Sequence, residues 1–412
     1  MRSSILFTSC LLSLIERSFS LTLTSGQRIS SRMRKNQNHQ DTRRGPKSFF
    51  DLRAIEQWGE ENGLKEHHLK TIYKVVMTSY SCDRPSRHEE SQVLQDKLRA
   101  LSFPQACIPN LLSEFGYTCT IRNIQQSQGG AKFGIQLANG KFVESVLIRH
   151  ERNNGDVRYT VCVSSQVGCA KKCSFCATGT MGLIGQLSSA EILEQIHLLQ
   201  QYVKHKNLPG KIRNVVFMGM GEPLDNYDAV HESIRGITHQ CLFGLKAKKV
   251  TVSTVGSSAQ KIKALADEAP QVCLALSLHS AIQSSREKLI PSAVSISLEE
   301  LGDALDYHAK KSGRGSMLEY LLINGVNDSN DEVDSLAEFC LKREGNVYVN
   351  LIPYNPTLAG DNFGYQTPSD ERISDFHDKL KAAGVKALVR WSTQNGRDAN
   401  GACGQLVLTS IT

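Results

Sequence analysis

Tyr159-Thr-Val-Cys-Val-Ser-Ser-Gln-Val-Gly-Cys169-Ala-Lys-Lys-Cys173-Ser-Phe-Cys176 is a strand-like apolar run followed at once by three cysteines on one short loop. Three soft thiolates with no fourth leave a metal centre one position open for chemistry. The spacing C-x3-C-x2-C, with the aromatic Phe175 before the last cysteine, is that of a 4Fe-4S cluster with one iron free of protein ligands. Zinc is the competing occupant, since it also takes thiolates. A structural zinc site uses four ligands, usually as two short pairs, and no His or Cys follows at such a spacing. Cys169, Cys173 and Cys176 are therefore the candidate metal ligands.

Outward from this stretch the chain alternates. Strand-like runs at 159–163, 214–218, 249–253, 272–277, 317–323 and 347–352 are separated by helical stretches. The clearest helix, Ser189–His205, opens on the capping box Ser188-x-x-Glu191 and sets Ile192, Leu193, Ile196, Leu199 and Val203 on one face. Six such units in a row predict a parallel sheet with right-handed crossovers, either an open barrel or a doubly wound sheet. Both architectures hold ligands at the C-terminal ends of their strands. The residues there are polar or turn-forming: Gly219-Met220-Gly221-Glu222-Pro223, Ser253, Ser277-Leu278-His279 and Pro353-Tyr354-Asn355-Pro356. Upstream, residues 49–112 read as helical, broken by a polar stretch at 79–92. The period changes to two between 117 and 163, where Asn139-Gly140 and Asn154-Gly155 predict two type I′ hairpins.

A chain of 412 residues, 40% hydrophobic, can bury one barrel-sized domain and a smaller one. Its net charge of +7 is local: residues 1–46 hold eight Lys/Arg and two Asp/Glu, and the remainder is nearly neutral. Composition alone therefore does not argue for a nucleic-acid surface. The same 46 residues are Ser- and Arg-rich, with an apolar run at 5–15 too short to span a membrane. They read as a targeting segment for a plastid or mitochondrion, the alternative being an unprocessed tail on a cytoplasmic protein. Twelve irregularly spaced cysteines in so long a chain fit a reducing compartment better than a disulfide framework. Cys82, Cys107, Cys119, Cys241, Cys273 and Cys340 have no partner motif and read as ordinary thiols.

The cysteine loop resembles that of the radical SAM superfamily, and further segments narrow the likeness. Cys-Val-Ser-Ser-Gln-Val-Gly-Cys at 162–169, Phe217-Met-Gly-Met-Gly-Glu-Pro-Leu224, Val252-Ser-Thr254, Ser277-Leu-His279, Gly325-Val-Asn-Asp328, Val349-Asn-Leu-Ile-Pro353 and Ala402-Cys-Gly-Gln-Leu406 occur in order. Across about residues 49–410 the chain resembles the RlmN/Cfr family of radical SAM RNA methyltransferases, which methylate C2 or C8 of an adenine. The resemblance implies an α/β fold: a partial (βα)6 barrel with a small N-terminal helical domain and a short antiparallel β extension. The corresponding divisions are 1–46 for the targeting segment, 47–115 for the helical domain, 116–158 for the hairpins, and 159–412 for the barrel with a C-terminal catalytic segment. It implies a 4Fe-4S cluster and two molecules of S-adenosylmethionine per turnover, the latter held by Gly221, Glu222, Ser253, Ser277, Leu278, His279 and Asn355.

Adenine C2 lies between two ring nitrogens and cannot displace a methyl group as a nucleophile, whereas a thiolate can. The resemblance accordingly implies Cys403 as the methyl-carrying thiol and Cys162 as the second thiol, which releases the product through a transient disulfide with Cys403. It implies Glu144 as the base that takes the ring proton. Strand alternation sets Glu144 with Phe142, Val146 and Ile148, where partial desolvation would raise its pKa. The activity expected is C2 methylation of adenosine in large-subunit rRNA, and of tRNA as a second substrate. Expected partners are these RNAs and an electron donor of the flavodoxin or ferredoxin kind, with no membrane and a monomeric enzyme. C8 methylation by the same chemistry, another radical SAM reaction, and a non-catalytic RNA-binding or assembly protein are the alternatives. The pattern departs from the family at Ser392–Asp398 and in the length between Glu144 and Cys162.

Overall fold

The computed structural model describes residues 46–79, 87–127, 129–343, 346–390 and 404–406. Two short parallel strands, β1 (Lys47–Ser48) and β2 (Phe115–Gly116), bracket the helices Leu52–Glu61, Glu66–Ser79, Arg87–Ala100 and Ile108–Glu114. Then β3 (Thr120–Ser127), β4 (Gly130–Gln136) and β5 (Phe142–Glu151) run antiparallel into β6 (Val157–Cys162). A small hairpin of β7 (Gln166–Gly168) and β8 (Leu183–Gln186) flanks the cysteine loop. The parallel strands that continue from β6 are β9 (Lys211–Phe217), β10 (Val250–Thr254), β11 (Cys273–Ser277), β12 (Ser316–Leu322), β13 (Val347–Pro353) and β14 (Ala387–Val389). All but β1, β2, β7 and β8 form one ten-stranded sheet in the order β14-β13-β12-β11-β10-β9-β6-β5-β4-β3.

The six strands expected from the sequence form the parallel part. The seventh, β14, was not foreseen. It is three residues long, too short for an apolar period, and is held at the edge by Val349 N–H to Lys386 O and Arg390 N–H to Leu351 O, each 2.8 Å. The antiparallel hairpins continue the same sheet beyond β6.

Neither hairpin turn is type I′. That turn needs φ > 0 at both central residues, but only the glycines are left-handed, Gly140 at φ 79 and Gly155 at φ 78. Leu137 N–H bonds to Lys141 O (2.8 Å) and Gly140 N–H to Leu137 O (2.9 Å), a three-residue loop with a glycine bulge. The asparagines act through their side chains: Asn139 Oδ1 accepts from Lys141 N at 2.9 Å, and Asn154 Oδ1 from Asp156 N at 3.1 Å.

The capping box of Ser189–His205 is formed on both sides. The helix is buried on more than the expected face, because its polar residues also face protein. Glu194 accepts from the Ser48 and Thr118 hydroxyls and from the N–H groups of Thr118 and Cys119. Gln201 Nε2 reaches Met77 O at 2.9 Å, and His197 stacks on Tyr117. Gln195 binds both polar groups of the Ser164 backbone, at 2.9 and 3.0 Å, and the Ser145 hydroxyl at 2.6 Å. The helix thus anchors the helical segment and fixes the point where β6 leaves for the cysteine loop. Among the described residues no helix is long and apolar enough to cross a membrane.

Candidate functional site

Register decides which strand residues share the inner face. Val146 lies opposite both Lys132 and Cys162, and Cys162 opposite Val216, so these four point the same way. Glu144, two residues from Val146, joins them. Its Oε1 stands 3.0 Å from Lys132 Nζ, with both side chains buried. The expected apolar surroundings of Glu144 therefore include a buried ammonium, contributed by β4. Cys162, the last residue of β6, is buried as well, and burial pushes its thiol up to about 12.

The turn after β9 is built for close approach. At Gly221, φ is 100, and a Cβ would stand 2.5 Å from the Gln166 side chain. Glu222 is buried, and both its oxygens accept backbone N–H groups: Oε1 from Leu224 at 3.1 Å and Oε2 from Val255 at 2.9 Å. Burial raises its pKa even so. The carboxylate ties this turn to the end of β10, where Ser253 is buried.

After β11, Leu278 and His279 direct their N–H groups toward Glu319 O. His279 adopts φ 58, a left-handed conformation uncommon outside glycine, and three contacts hold it there. Its Nδ1 accepts from Leu321 N at 3.0 Å, its carbonyl accepts from Asn327 Nδ2 at 2.6 Å, and its ring meets Phe175 edge-on at 4.8 Å. Burial depresses its pKa to about 3, so the imidazole is neutral. Ser277 ends β11 half-buried, and Asn355 lies buried after β13, its Nδ2 3.4 Å from Pro353 O.

Phe175 sits in an apolar cluster with Leu289, Ile290, Ala293, Leu321, Ile323 and Tyr354, against which Cys173 and Cys176 pack. The loop is further tied by Lys171 to Asp225 and to Ser257 (both 2.8 Å) and by Ser174 N–H to Leu289 O (3.0 Å). Burial raises the pKa of all three loop cysteines, Cys169 to about 12. Among the described residues no three His, Cys, Asp or Glu side chains gather around a point as one metal ion requires. A cuboidal cluster sets a different condition, because each cysteine ligates its own iron and the three sulfurs stand apart. Three buried or half-buried thiols spaced along one tied loop fit that donor set.

Cys403 lies outside the described residues, but the residues after it dock on this loop. Gly404 O accepts from Ala177 N at 2.8 Å, Leu406 O accepts from the Thr178 hydroxyl, and Gln405 Nε2 donates to Pro356 O at 3.1 Å.

The structure thus brings Cys169, Cys173, Cys176, Gly221, Glu222, Ser253, Ser277, Leu278, His279 and Asn355 to the C-terminal ends of the parallel strands, and sets Glu144 and Cys162 on the adjoining inner face. Sequence reasoning missed Lys132, Asn327 and Arg286. Asn327 lies inside the segment Gly325-Val-Asn-Asp328. Lys132 becomes visible only through the register of β4, and Arg286, one of two basic residues in the short helix Gln283–Leu289, carries no local signal.

Residues 163–340 match the Radical SAM superfamily, whose chemistry depends on an iron–sulfur centre and S-adenosylmethionine. The chain is 37% identical over 360 residues to the probable dual-specificity RNA methyltransferase RlmN 2 of Protochlamydia amoebophila, spanning 87% of this chain and 93% of that protein. It is 39% identical over 290 residues to the probable dual-specificity RNA methyltransferase RlmN of Thermotoga maritima, spanning 70% and 79%. The crystal structure of a radical SAM methyltransferase from Sphaerobacter thermophilus superposes with a TM-score of 0.75 at 32% identity, over 88% of this chain and 99% of that one. With that coverage and that shared architecture, the chain belongs to the RlmN family of radical SAM methyltransferases.

Proposed function

We propose that this chain methylates C2 of an adenosine in large-subunit rRNA, and in tRNA, by passing the carbon through Cys403. The docking of Gly404 and Leu406 on Ala177 and Thr178, directly after the cysteine loop, carries this reading, because Gly404 is the residue next to Cys403. Cys169, Cys173 and Cys176 would hold a 4Fe-4S cluster. When bound, that cluster supplies the electron that cleaves S-adenosylmethionine reductively.

The chain's own residues divide the remaining work. The strand-end groups at Gly221, Glu222, Ser253, Ser277, Leu278, His279 and Asn355 would bind S-adenosylmethionine, with the Gly221 turn packed closely on Gln166. Cys403 takes a methyl group on sulfur, since ring carbon C2 cannot. Cys162 holds its proton while buried and empty, and acts as the second thiol once the RNA is attached. Glu144 takes the ring proton, and Lys132 compensates the buried carboxylate's charge. An external one-electron donor of the flavodoxin or ferredoxin kind is required, and a thiol reductant reopens the Cys162–Cys403 disulfide.

The test is anaerobic reconstitution with RNA, followed by iron analysis and mass spectrometry of digested RNA. Wild type should yield 2-methyladenosine. Cys169→Ala should lose iron and product together, whereas Cys162→Ala should keep iron and accumulate RNA bound to protein through Cys403. 8-Methyladenosine without 2-methyladenosine would overturn the C2 assignment, and RNA binding without reductive cleavage of S-adenosylmethionine would leave a non-catalytic binder. The basic leader supports a plastid or mitochondrial destination, which a fluorescent fusion of the full chain checks.

A further inference from the structure

We infer that Arg286 is the buried counter-charge of the iron–sulfur centre, a positioning residue that makes the centre easier to reduce. The inference rests on the cluster reading above and adds a residue to it. Arg286 is fully buried. Its Nη2 donates to Val255 O at 2.5 Å and lies 3.5 Å from Ser277 O, while Nε and Nη1 meet no acceptor among the described residues. Two carbonyls do not neutralise a guanidinium in a low-dielectric interior, and a buried charge without a partner is strongly disfavoured. Glu222 accepts from the N–H of the same residue, Val255, but both its oxygens are engaged by backbone N–H groups.

The missing anion has a place in the fold. Arg286 stands on the helix Gln283–Leu289, whose last residue accepts from Ser174 of the cysteine loop. Leu289 and Ile290 belong to the cluster of side chains against which both Val255 and Cys173 pack. Three thiolates outweigh the positive charge of a 4Fe-4S core, and the excess grows by one on reduction. A fixed cation on the helix bonded to the cysteine loop therefore favours the reduced state, which is the state that donates an electron. The carboxylate of S-adenosylmethionine is the other anion this site would admit, and the two are separable by measuring without it.

The experiment uses the full chain, anaerobically reconstituted, as wild type, Arg286→Met and Arg286→Lys, with iron and sulfide analysis and an EPR-monitored redox titration in the absence of S-adenosylmethionine. Arg286→Met is expected to lower the ratio of reduced to oxidised cluster at a fixed potential at least tenfold, 59 mV for a one-electron couple. Arg286→Lys should recover most of that ratio. A fully loaded Arg286→Met with the wild-type potential would overturn the inference, as would equal shifts in both variants or an effect confined to S-adenosylmethionine binding. Should Arg286→Met fail to load, melting of the iron-free proteins decides: a variant at or above wild type supports an uncompensated charge, and a lower one overturns it. Wild type that takes up no iron would bring down the cluster reading and this inference with it.

Discussion

Glu194 and Arg286 are both charged side chains removed from water, and the fold treats them oppositely. Glu194 lies where the helix Ser189–His205 meets the N-terminal segment, and it accepts from two hydroxyls and two backbone N–H groups. Arg286 lies on the helix bonded to the cysteine loop, and among the described residues two of its three nitrogens meet no acceptor. A buried charge whose hydrogen bonds are complete is finished as structure, whereas one left incomplete marks a place where something else binds. The helical junction is closed in the polypeptide itself. On the proposed reading, a bound group completes the strand ends.

The largest expected effect tests the finished side. Glu194→Ala strands the donors of Ser48, Thr118 and Cys119, and breaking such a buried array costs about 3–5 kcal/mol. Chemical denaturation of the iron-free chain measures it, and a loss under 1 kcal/mol would mean that the junction is held by its apolar contacts alone. The wild-type carboxyl also carries a pH signature, since burial raises its pKa above 4.5 despite the donors. A raised carboxyl contributes stability that is fully present below 4.5 and is lost as pH rises through its folded value. Glu194→Gln, which does not titrate, should flatten that part of the stability profile.

A second effect of similar kind is expected on the sheet's inner face. Lys132→Met leaves the buried Glu144 without its ammonium, and truncating one partner of such a pair costs about 3 kcal/mol or more. Lys132→Met combined with Glu144→Gln should recover much of that stability while abolishing methylation, because the proposed base is gone. Recovery of product by the double variant would exclude Glu144 as the base.

The two regions also differ in how far they could be read from sequence. The strand ends were legible because cluster and cofactor chemistry is written locally: three cysteines within eight residues, a glycine turn, a Ser-Leu-His triplet. Parallel strands were legible as apolar runs, and the capping box as a four-residue pattern. Partnerships across the chain were not. Lys132 meets Glu144 through β4–β5 register, Glu194 meets Ser48 across 146 positions, and neither leaves a periodic trace. The hairpin turns failed for a subtler reason. Asn-Gly suits a two-residue turn and a three-residue loop with a bulge alike, and loop length, not the dipeptide, decides between them. Strand β14 failed because three residues cannot display a period.

Protonation of buried histidine gives the next effect in size. His197, at the junction, is depressed by burial to about 3, and His308, under β12, to about 4. A depressed histidine contributes stability present above its unfolded value near 6.5 and lost as pH falls toward the folded one. Each should therefore cost ~1.4 kcal/mol per pH unit between those limits. Comparing the unfolding profiles of wild type and His197→Gln isolates one proton: the difference should be level above pH 7 and turn in favour of the variant below about 6. A difference that stays level down to pH 4 would show that the imidazole is charged in the fold.

The smallest effect separates the regions most cleanly. Ser188→Ala removes the N-cap of the helix that bears Glu194, and such a cap is worth about 1 kcal/mol. Ser188 is exposed and reaches only its own helix terminus, by bonds with Glu191 of 2.8 to 3.2 Å. The variant should lower the denaturation midpoint without changing iron content or the potential of the reconstituted centre. Arg286→Met should do the reverse. If Ser188→Ala also shifted the potential, the strand ends would be sensing the stability of the helix behind them. The line between a junction completed by the chain and a site completed by its ligand would then have to be drawn through Gln195, which binds the Ser164 backbone from that same helix.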